Sequence, residues 1–576
     1  MEYVLDRFVA EVRSAINATG NVPADLVDLQ PPKANIPADL AFPSFRAARE
    51  LGVTPPRLTQ ELAAALQFAP DSLVAEVVAS GPFLNFGLNP QRLAIEVLGD
   101  ITRMGDTYGH DDLGQQQTIV IDYSSPNVAK RMHVGHIRST IIGQSLVHIL
   151  RALGFAMIGD NHLGDWGKQF GVIIAAIKRY GKPTSEGEMA LEALEERYVR
   201  YSNEMQLDEA LDDEARHCSL RLEQGDPEAR DLWQWCVETT LEANQKNYDR
   251  LGVSFEHTYG ESFYESMLTD VIALALQQGI AQTDEDGAVV VPSLDNLPSF
   301  LLQRSDGGTL YMTRDLATVL FRVEQFRPVR LIYVVGSQQE LHFRQLTALV
   351  KALAIAPEIE LIHVGFGTIF DAQGQPLSTR RGNMIYLQHL LDDAVARARK
   401  IVETKNDELS EEEKDRVAEQ VGIGAVIYND LYQDSRRNIT LDWERMLATE
   451  GNSATYLQYS HARCCSILRR AGAGDPRVTD AATLSLLTQG TEQQLIKHLA
   501  RLPEAIREAG QRYAPFVIAD WCYTTARAFG VFFEQCPVLK ADSPSLRDAR
   551  LTLVAATAQA LKNGLHLLGI QSPERM

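Results

Sequence analysis

Val4, Leu5, Phe8, Val9, Val12 and Ile16 fall on one face at helical spacing, so the chain opens on an amphipathic helix. A proline-rich stretch at Pro31, Pro32, Pro37 and Pro43 follows, then a helical pattern around Leu58 to Leu66 and the apolar run Gly81–Gly87. Together these predict a small α+β unit over residues 1–114, closed by the polar break Asp111–Gln117. Thr118–Asp122 is a β-branched run and reads as a buried strand. A loop, a helix from about Val134 to Leu153 and a strand at Phe155–Gly159 come next. Such β-α-β alternation predicts an α/β domain over residues 115–395, built on a Rossmann-type, doubly wound parallel sheet. The alternation stops between about 184 and 298, where the chain is helical and acidic, so a helical insertion is expected there. Its acid runs, Glu195–Glu196 and Asp212–Glu214, read as solvated helix faces. Sheet character returns at Phe300–Gln303 and Leu310–Met312, with a helix starting at Asp315, a strand at Leu331–Val335, a helix from Glu340 and a strand at Glu360–Val364. After a Gly/Pro-rich loop over Phe370–Tyr386, Leu387, Leu390, Leu391, Ala394, Val395, Ala398, Ile401 and Val402 form a helical stripe. Beyond Glu411–Glu413 the pattern is helical throughout, which predicts an all-α helical bundle over 396–576.

Composition changes this picture little. The chain has 576 residues, enough for several domains with large cores of their own. No apolar run approaches the ~20 residues that cross a bilayer, and the first residues lack the basic start and apolar stretch of an export signal. A cytoplasmic protein with no membrane partner is therefore expected. The cysteines Cys218, Cys236, Cys464, Cys465, Cys522 and Cys536 form no C-x-x-C pair and have no histidine cluster beside them, so no zinc site and reduced thiols are expected. A formal net charge of -21 argues against coating by nucleic acid through charge alone. A local basic groove stays compatible with it, because moderate salt screens charges beyond ~10 Å.

The chemistry concentrates between Asp122 and His136. This stretch follows the first strand of the sheet and leads into a helix, the place where doubly wound sheets bind ligands. A helix amino terminus there presents free N–H groups to phosphate. His133 and His136, three residues apart, project from one face of its first turn, and both can donate hydrogen bonds to triphosphate oxygens. Gly135 between them has no Cβ, so a flat base could approach the backbone.

His133-Val-Gly-His136 resembles the HIGH element of class I aminoacyl-tRNA synthetases. Ser124–Lys130, Ile137–Gly143, Asn161–Gly171, Tyr311–Asp315, Ser337–His342, Val421–Ala425, Glu450–Asn452 and the tail Leu568–Met576 resemble the arginyl-tRNA synthetases specifically. The resemblance covers nearly the whole chain. It implies a two-step reaction: the carboxylate of L-arginine attacks the α-phosphate of ATP, pyrophosphate leaves, and the arginyl group passes to the 2′-hydroxyl of the terminal adenosine of tRNA(Arg). It also implies Mg2+ travelling with ATP and a monomeric enzyme. Chemistry of this kind depends on positioning and charge stabilisation.

A guanidinium is a planar fork that pairs with carboxylates. By resemblance, Asp122 and Asp315 lie in the arginine pocket, with Ser124, Asn127, His162, Tyr311 and Gln339 around them. Two buried anions would reject neutral side chains, whose binding would leave those charges unpaired. Plainer readings stand beside this: Asp315 as a helix cap, Asp122 as a strand-end turn residue, Tyr311 as core. The family's second ATP element resembles KMSKS, and here the matching stretch, Pro376–Asn383, holds neither lysine. Ser378 remains, Arg380 and Arg381 could supply positive charge, and Lys130, just before the histidines, is a further candidate cation.

In the helical bundle, Tyr456, Tyr459, His461, Arg463, Arg469 and Arg470 interleave aromatics with cations, a pattern suited to stacking on unpaired bases. Tyr456, Tyr459, Arg463 and the terminal Met576 are the candidate tRNA contacts. Two other classes fit parts of the pattern: a nucleotidyltransferase that adenylates a small acid, and a non-catalytic RNA-binding relative. The pair Asp122 and Asp315 weighs against the first, and the intact His133, Gly135 and His136 against the second.

Overall fold

The computed structural model describes residues 2–33, 36–377, 385–405, 409–472 and 480–576. Ser378, Arg380 and Arg381 lie outside the described residues.

The amino-terminal unit runs α1 (Val4–Ala18), β1 (Leu40–Pro43), α2 (Phe45–Glu50), α3 (Pro55–Ala65), β2 (Val74–Ser80), β3 (Phe83–Leu88) and α4 (Pro90–Met104). Its strands form an antiparallel sheet in the order β1-β3-β2. The periodic stripe of α1 does what its spacing requires: Val4, Phe8, Val12 and Ile16 are buried.

The central domain begins β4 (Thr118–Asp122), α5 (Val134–Ala152), β5 (Ala156–Asp160) and α6 (Lys168–Tyr180). The insertion follows as α7 (Gly187–Met205), α8 (Glu209–Glu223), α9 (Pro227–Leu251), α10 (Leu268–Gln277) and the short strands β6 (Gln282–Thr283), β7 (Val289–Val291) and β8 (Phe300–Gln303). The domain resumes with α11 (Tyr311–Phe326), β9 (Arg330–Gly336), α12 (Glu340–Ala352) and β10 (Glu360–Phe366). The strands β10-β9-β4-β5 make a parallel sheet in that order. The order reverses beside β4, so the carboxyl ends of β4 and β9 open a crevice.

The remainder is β11 (Ile369–Phe370), α13 (Leu387–Lys405), α14 (Glu411–Leu431), β12 (Ile439–Thr440), α15 (Trp443–Met446), α16 (Ala454–Ala471), α17 (Ala481–Leu484), α18 (Gly490–Ala500), α19 (Leu502–Arg512), α20 (Phe516–Gln535) and α21 (Pro544–Leu567). It joins the sheet domain through a buried pair: Arg138 on α5 grips Asp430 on α14 at 3.0–3.1 Å and also donates to the carbonyls of Ser435 and Arg437.

Three expectations are corrected. Phe300–Gln303 is a strand, but it pairs antiparallel with β7 in a small separate sheet instead of joining the parallel one. Leu310–Met312 forms no strand, and α11 starts at Tyr311, before Asp315. Three residues of apolar character fit the first turn of a helix as well as a strand, and here Met312 and Thr313 turn inward. Strand character is also present beyond Glu411, because β12 pairs in parallel with β11. The boundary expected near 396 falls inside the continuous helix α13.

Candidate active site

β4 ends at Asp122, and the chain then enters a loop held in unusual backbone geometry. Ser124, Ser125 and Ala129 have φ of 73°, 49° and 62°. Left-handed non-glycine residues cost on the order of 1–3 kcal/mol each and persist only where the surroundings over-determine them. Here backbone N–H groups do so: Ser124 donates to Ser139 Oγ at 2.9 Å, Ser125 to Asn161 Oδ1 at 3.1 Å and Ala129 to Thr240 Oγ1 at 2.9 Å.

His133 is the N-cap of α5. Its Nδ1 accepts the N–H of Gly135 at 3.0 Å, and Nδ1 of His136 accepts the N–H of His133 at 3.2 Å. The two rings stand 4.0 Å apart, tilted by 31°. Burial, then the charge of nearby Lys130, lowers the pKa of His133; burial and the neighbouring His133 push His136 down to about 3. Both imidazoles are therefore neutral near pH 7. A neutral ring whose Nδ1 accepts must carry its proton on Nε2. Reciprocal capping thus fixes the tautomer and leaves two Nε2–H donors at the helix end. Gly135 serves this cap: a Cβ there would sit 2.8–2.9 Å from the His133 ring. Lys130 lies over the Tyr198 ring at 5.6 Å, within electrostatic reach of both histidines.

The expected acids part company. Asp122 is 7% exposed; its Oδ2 meets Arg322 Nη2 at 2.7 Å and its Oδ1 accepts from Ser125 Oγ at 2.9 Å. Arg322, itself 1% exposed, also bonds Asp160 at 2.8 Å. The expectation that Asp122 waits as an unpaired anion is corrected: its charge is met from inside the protein. Ser124 is likewise buried, with Oγ engaged by Tyr248 at 2.8 Å and Thr140 at 2.9 Å. Asp315, the fifth residue of α11, is partly open, and Nε2 of His342 lies 2.5 Å from its Oδ2. Burial holds the Tyr333 hydroxyl protonated, and the charges of Asp122 and Asp315 act in the same direction.

Among the other expected residues, Tyr311 is 69% exposed, and Gln339 is exposed in the short turn Ser337–Gln339 after β9. Asn127 is exposed and bridged backbone-to-backbone with Gly164. His162 is half-buried, and its Nδ1 is buried with no hydrogen-bond partner.

Sequence reasoning missed Glu261. Burial pushes its carboxyl up, against the charges of Arg314 and His162, while Asp165 and Asp315 raise it further. Arg314 stands 4.0 Å from Glu261 and 3.4 Å from Glu265. Asp165, also raised by burial, accepts from the N–H and Oγ of Ser262 at 2.8 and 2.6 Å, which fixes the backbone next to Glu261. Glu261 thus takes part of its charge environment from Asp315, 54 residues further along the chain (315 − 261). No periodicity or spacing marks Tyr259-Gly-Glu-Ser262, so nothing local sets Glu261 apart.

On the helical domain, a cavity of about 700 Å3 is lined by Tyr459, Arg463, Arg469, Arg470, Phe533, Arg575 and Met576. The Arg463 guanidinium stacks on Tyr459 at 4.6 Å and on Phe533 at 5.1 Å. Tyr456 is not among its lining residues; it packs edge-on against Tyr523. The buried His461 accounts for the tail, because its Nδ1 lies 3.0 Å from the Pro573 carbonyl, while Arg469 donates to that of Glu574. Among the described residues, no group of three or more His, Cys, Asp or Glu is placed to hold a metal ion, and no helix is long and apolar enough to cross a membrane.

Residues 101–443 match the family of class I tRNA synthetase (R) catalytic domains, residues 6–88 the arginyl-tRNA synthetase N-terminal domain, and residues 457–576 the DALR anticodon-binding domain. The arginine–tRNA ligase of Chloroflexus aurantiacus is 64% identical over 576 residues, all of both chains. The chain belongs to the arginine–tRNA ligase family. That of Lactococcus lactis is 38% identical over 550 residues, 95% of each chain. Among solved structures, Thermus thermophilus arginyl-tRNA synthetase aligns with a TM-score of 0.80 at 25% identity, covering 98% of this chain and 100% of that one. The three domains of an arginine–tRNA ligase therefore correspond to the amino-terminal unit, the sheet domain with its insertion and the terminal helices seen here.

Proposed function

We propose that this chain activates L-arginine with ATP and transfers it to the 2′-hydroxyl of the terminal adenosine of tRNA(Arg). The observation that carries this reading is what stands at the carboxyl ends of the neighbouring strands β4 and β9: two neutral Nε2–H donors on the helix amino terminus after β4, and His342 after β9 holding the partly open Asp315. ATP phosphates meet His133 and His136, with the first-turn N–H groups of α5 adding their dipole. Neutral donors suit a nucleotide that brings its own Mg2+. Lys130, Ser378, Arg380 and Arg381 are assigned to the departing pyrophosphate.

The guanidinium of arginine pairs with Asp315, joined by Glu261. Tyr311, Gln339, His162 and Asn127 frame the rest of the amino acid. In this reading Asp122 and Ser124 act through the loop they hold, not by direct contact. A neutral side chain offers no donors to the open side of Asp315, and lysine lacks the planar fork. The groove of Tyr459, Arg463 and Met576 receives unpaired tRNA bases by stacking. Arginine-dependent exchange of pyrophosphate into ATP, measured with and without tRNA(Arg), tests the reading. Exchange driven equally by lysine, or by no amino acid, would overturn it.

A further inference from the structure

One acid of the run read as a solvated face turns inward. Glu196 is exposed, but the Glu195 side chain on α7 is only 19% exposed and serves three donors. Its Oε1 accepts the backbone N–H of Arg131 at 2.7 Å, and its Oε2 accepts Arg131 Nε at 2.9 Å and the Tyr386 hydroxyl at 3.1 Å. The Arg131 guanidinium, with a side chain 8% exposed, lies over the Tyr386 ring at 3.6 Å and donates a further bond from Nη1 to Glu192 Oε1 at 2.9 Å.

Both partners of Glu195 flank the histidine turn. Arg131 is two residues before His133. Tyr386 is bridged to His133, with the Val134 N–H donating to the Ile385 carbonyl at 3.0 Å and the Leu387 N–H to the Met132 carbonyl at 2.9 Å. One carboxylate from the insertion thereby fixes both strands of a short ladder whose end is the N-cap of α5. Charge-assisted bonds of this kind, from a half-buried carboxylate to an arginine stacked on a ring, are strong and geometrically demanding.

We propose that Glu195 is a positioning residue for nucleotide activation, clamping Arg131 and Tyr386 so that the insertion sets where His133 and His136 present their Nε2–H groups. The proposal rests on the reading that these histidines meet ATP phosphates. The acidic region around Asp315 and Glu261 is supported by α11 and by the segment after α9, so the clamp leaves arginine binding alone.

The test uses the full-length chain with tRNA(Arg), comparing Glu195→Ala, Glu195→Gln and Tyr386→Phe in arginine-dependent pyrophosphate exchange. A small misplacement of a catalytic group costs roughly tenfold to a hundredfold. We therefore expect Glu195→Ala to lose that much in kcat/KM for ATP while KM for arginine stays within about twofold. Tyr386→Phe added to Glu195→Ala should cost nothing more, because both remove the same contact. If Glu195→Ala does not fold, the near-isosteric Glu195→Gln and Tyr386→Phe decide by the same split. Unchanged ATP kinetics, or parallel rises in KM for ATP and arginine, overturn the proposal. Normal ATP use by His136→Ala would instead overturn the site reading beneath it.

Discussion

Nη2 of Arg322 lies 2.7 Å from Asp122 Oδ2 and 2.8 Å from Asp160 Oδ2, so a single buried guanidinium ties the ends of two neighbouring parallel strands. Removing it strands two anions in the interior. Breaking a buried ion pair from one side costs about 3–5 kcal/mol. Arg322→Met should therefore lower the urea midpoint of the sheet domain sharply, and adding Asp122→Asn and Asp160→Asn should recover much of the loss. A midpoint unchanged by Arg322→Met would remove the network from the account of stability.

Asp315 is the acid left partly open. Truncating one partner of a buried charge pair costs about 2–5 kcal/mol. Asp315→Ala should lose at least thirtyfold in kcat/KM for arginine with KM for ATP little changed. Steady-state exchange kinetics with each substrate varied check this, and normal arginine kinetics would take Asp315 out of the pocket.

The acid response of His136 has a definite sign. Its folded pKa is depressed to about 3, from the usual 6.5. Between those values the unfolded chain binds a proton that the folded chain refuses, so stability is intact above about pH 6.5 and falls as pH drops towards 3. Between pH 7.5 and 5 the loss from this group is at most about 2 kcal/mol. His136→Asn should flatten the pH dependence of unfolding in that window. An equally steep slope in the variant would place the acid sensitivity elsewhere.

Arg463 stacks between Tyr459 and Phe533 beside Met576. Stacking on a base is worth about 1–3 kcal/mol. Arg463→Ala should weaken tRNA(Arg) binding roughly tenfold or more and lower its salt slope by about one, while leaving KM for arginine unaltered. Filter binding over a salt series measures both. Unchanged affinity would make the groove a packing feature.

Much of the architecture could be read from residue order. The stripe Val4, Phe8, Val12 and Ile16 is the buried face of α1, and the β-branched run 118–122 is a central strand of the parallel sheet. These follow from local periodicity, which a single segment carries by itself. Where the periodic signal was three or four residues long, as at Leu310–Met312 and Phe300–Gln303, it could not separate a helix turn from a strand or assign a strand to its sheet. The histidine element was legible in chemistry and position. Its tautomer was not, since that depends on which N–H each Nδ1 accepts.

By itself, then, the sequence determined the segments, their order and the groups with reactive chemistry: His133, His136 and the carboxylates. Only the tertiary structure decided which of those carboxylates are already matched. Asp122 finds its partner 200 residues away in Arg322, Glu195 finds Tyr386 191 residues away, and Glu261 gathers beside Asp315 without any motif to announce it. The physical reason is that a hydrophobic period is a property of neighbours along the chain, whereas a charge takes its state from neighbours in space, and those are set only when distant segments are brought into contact.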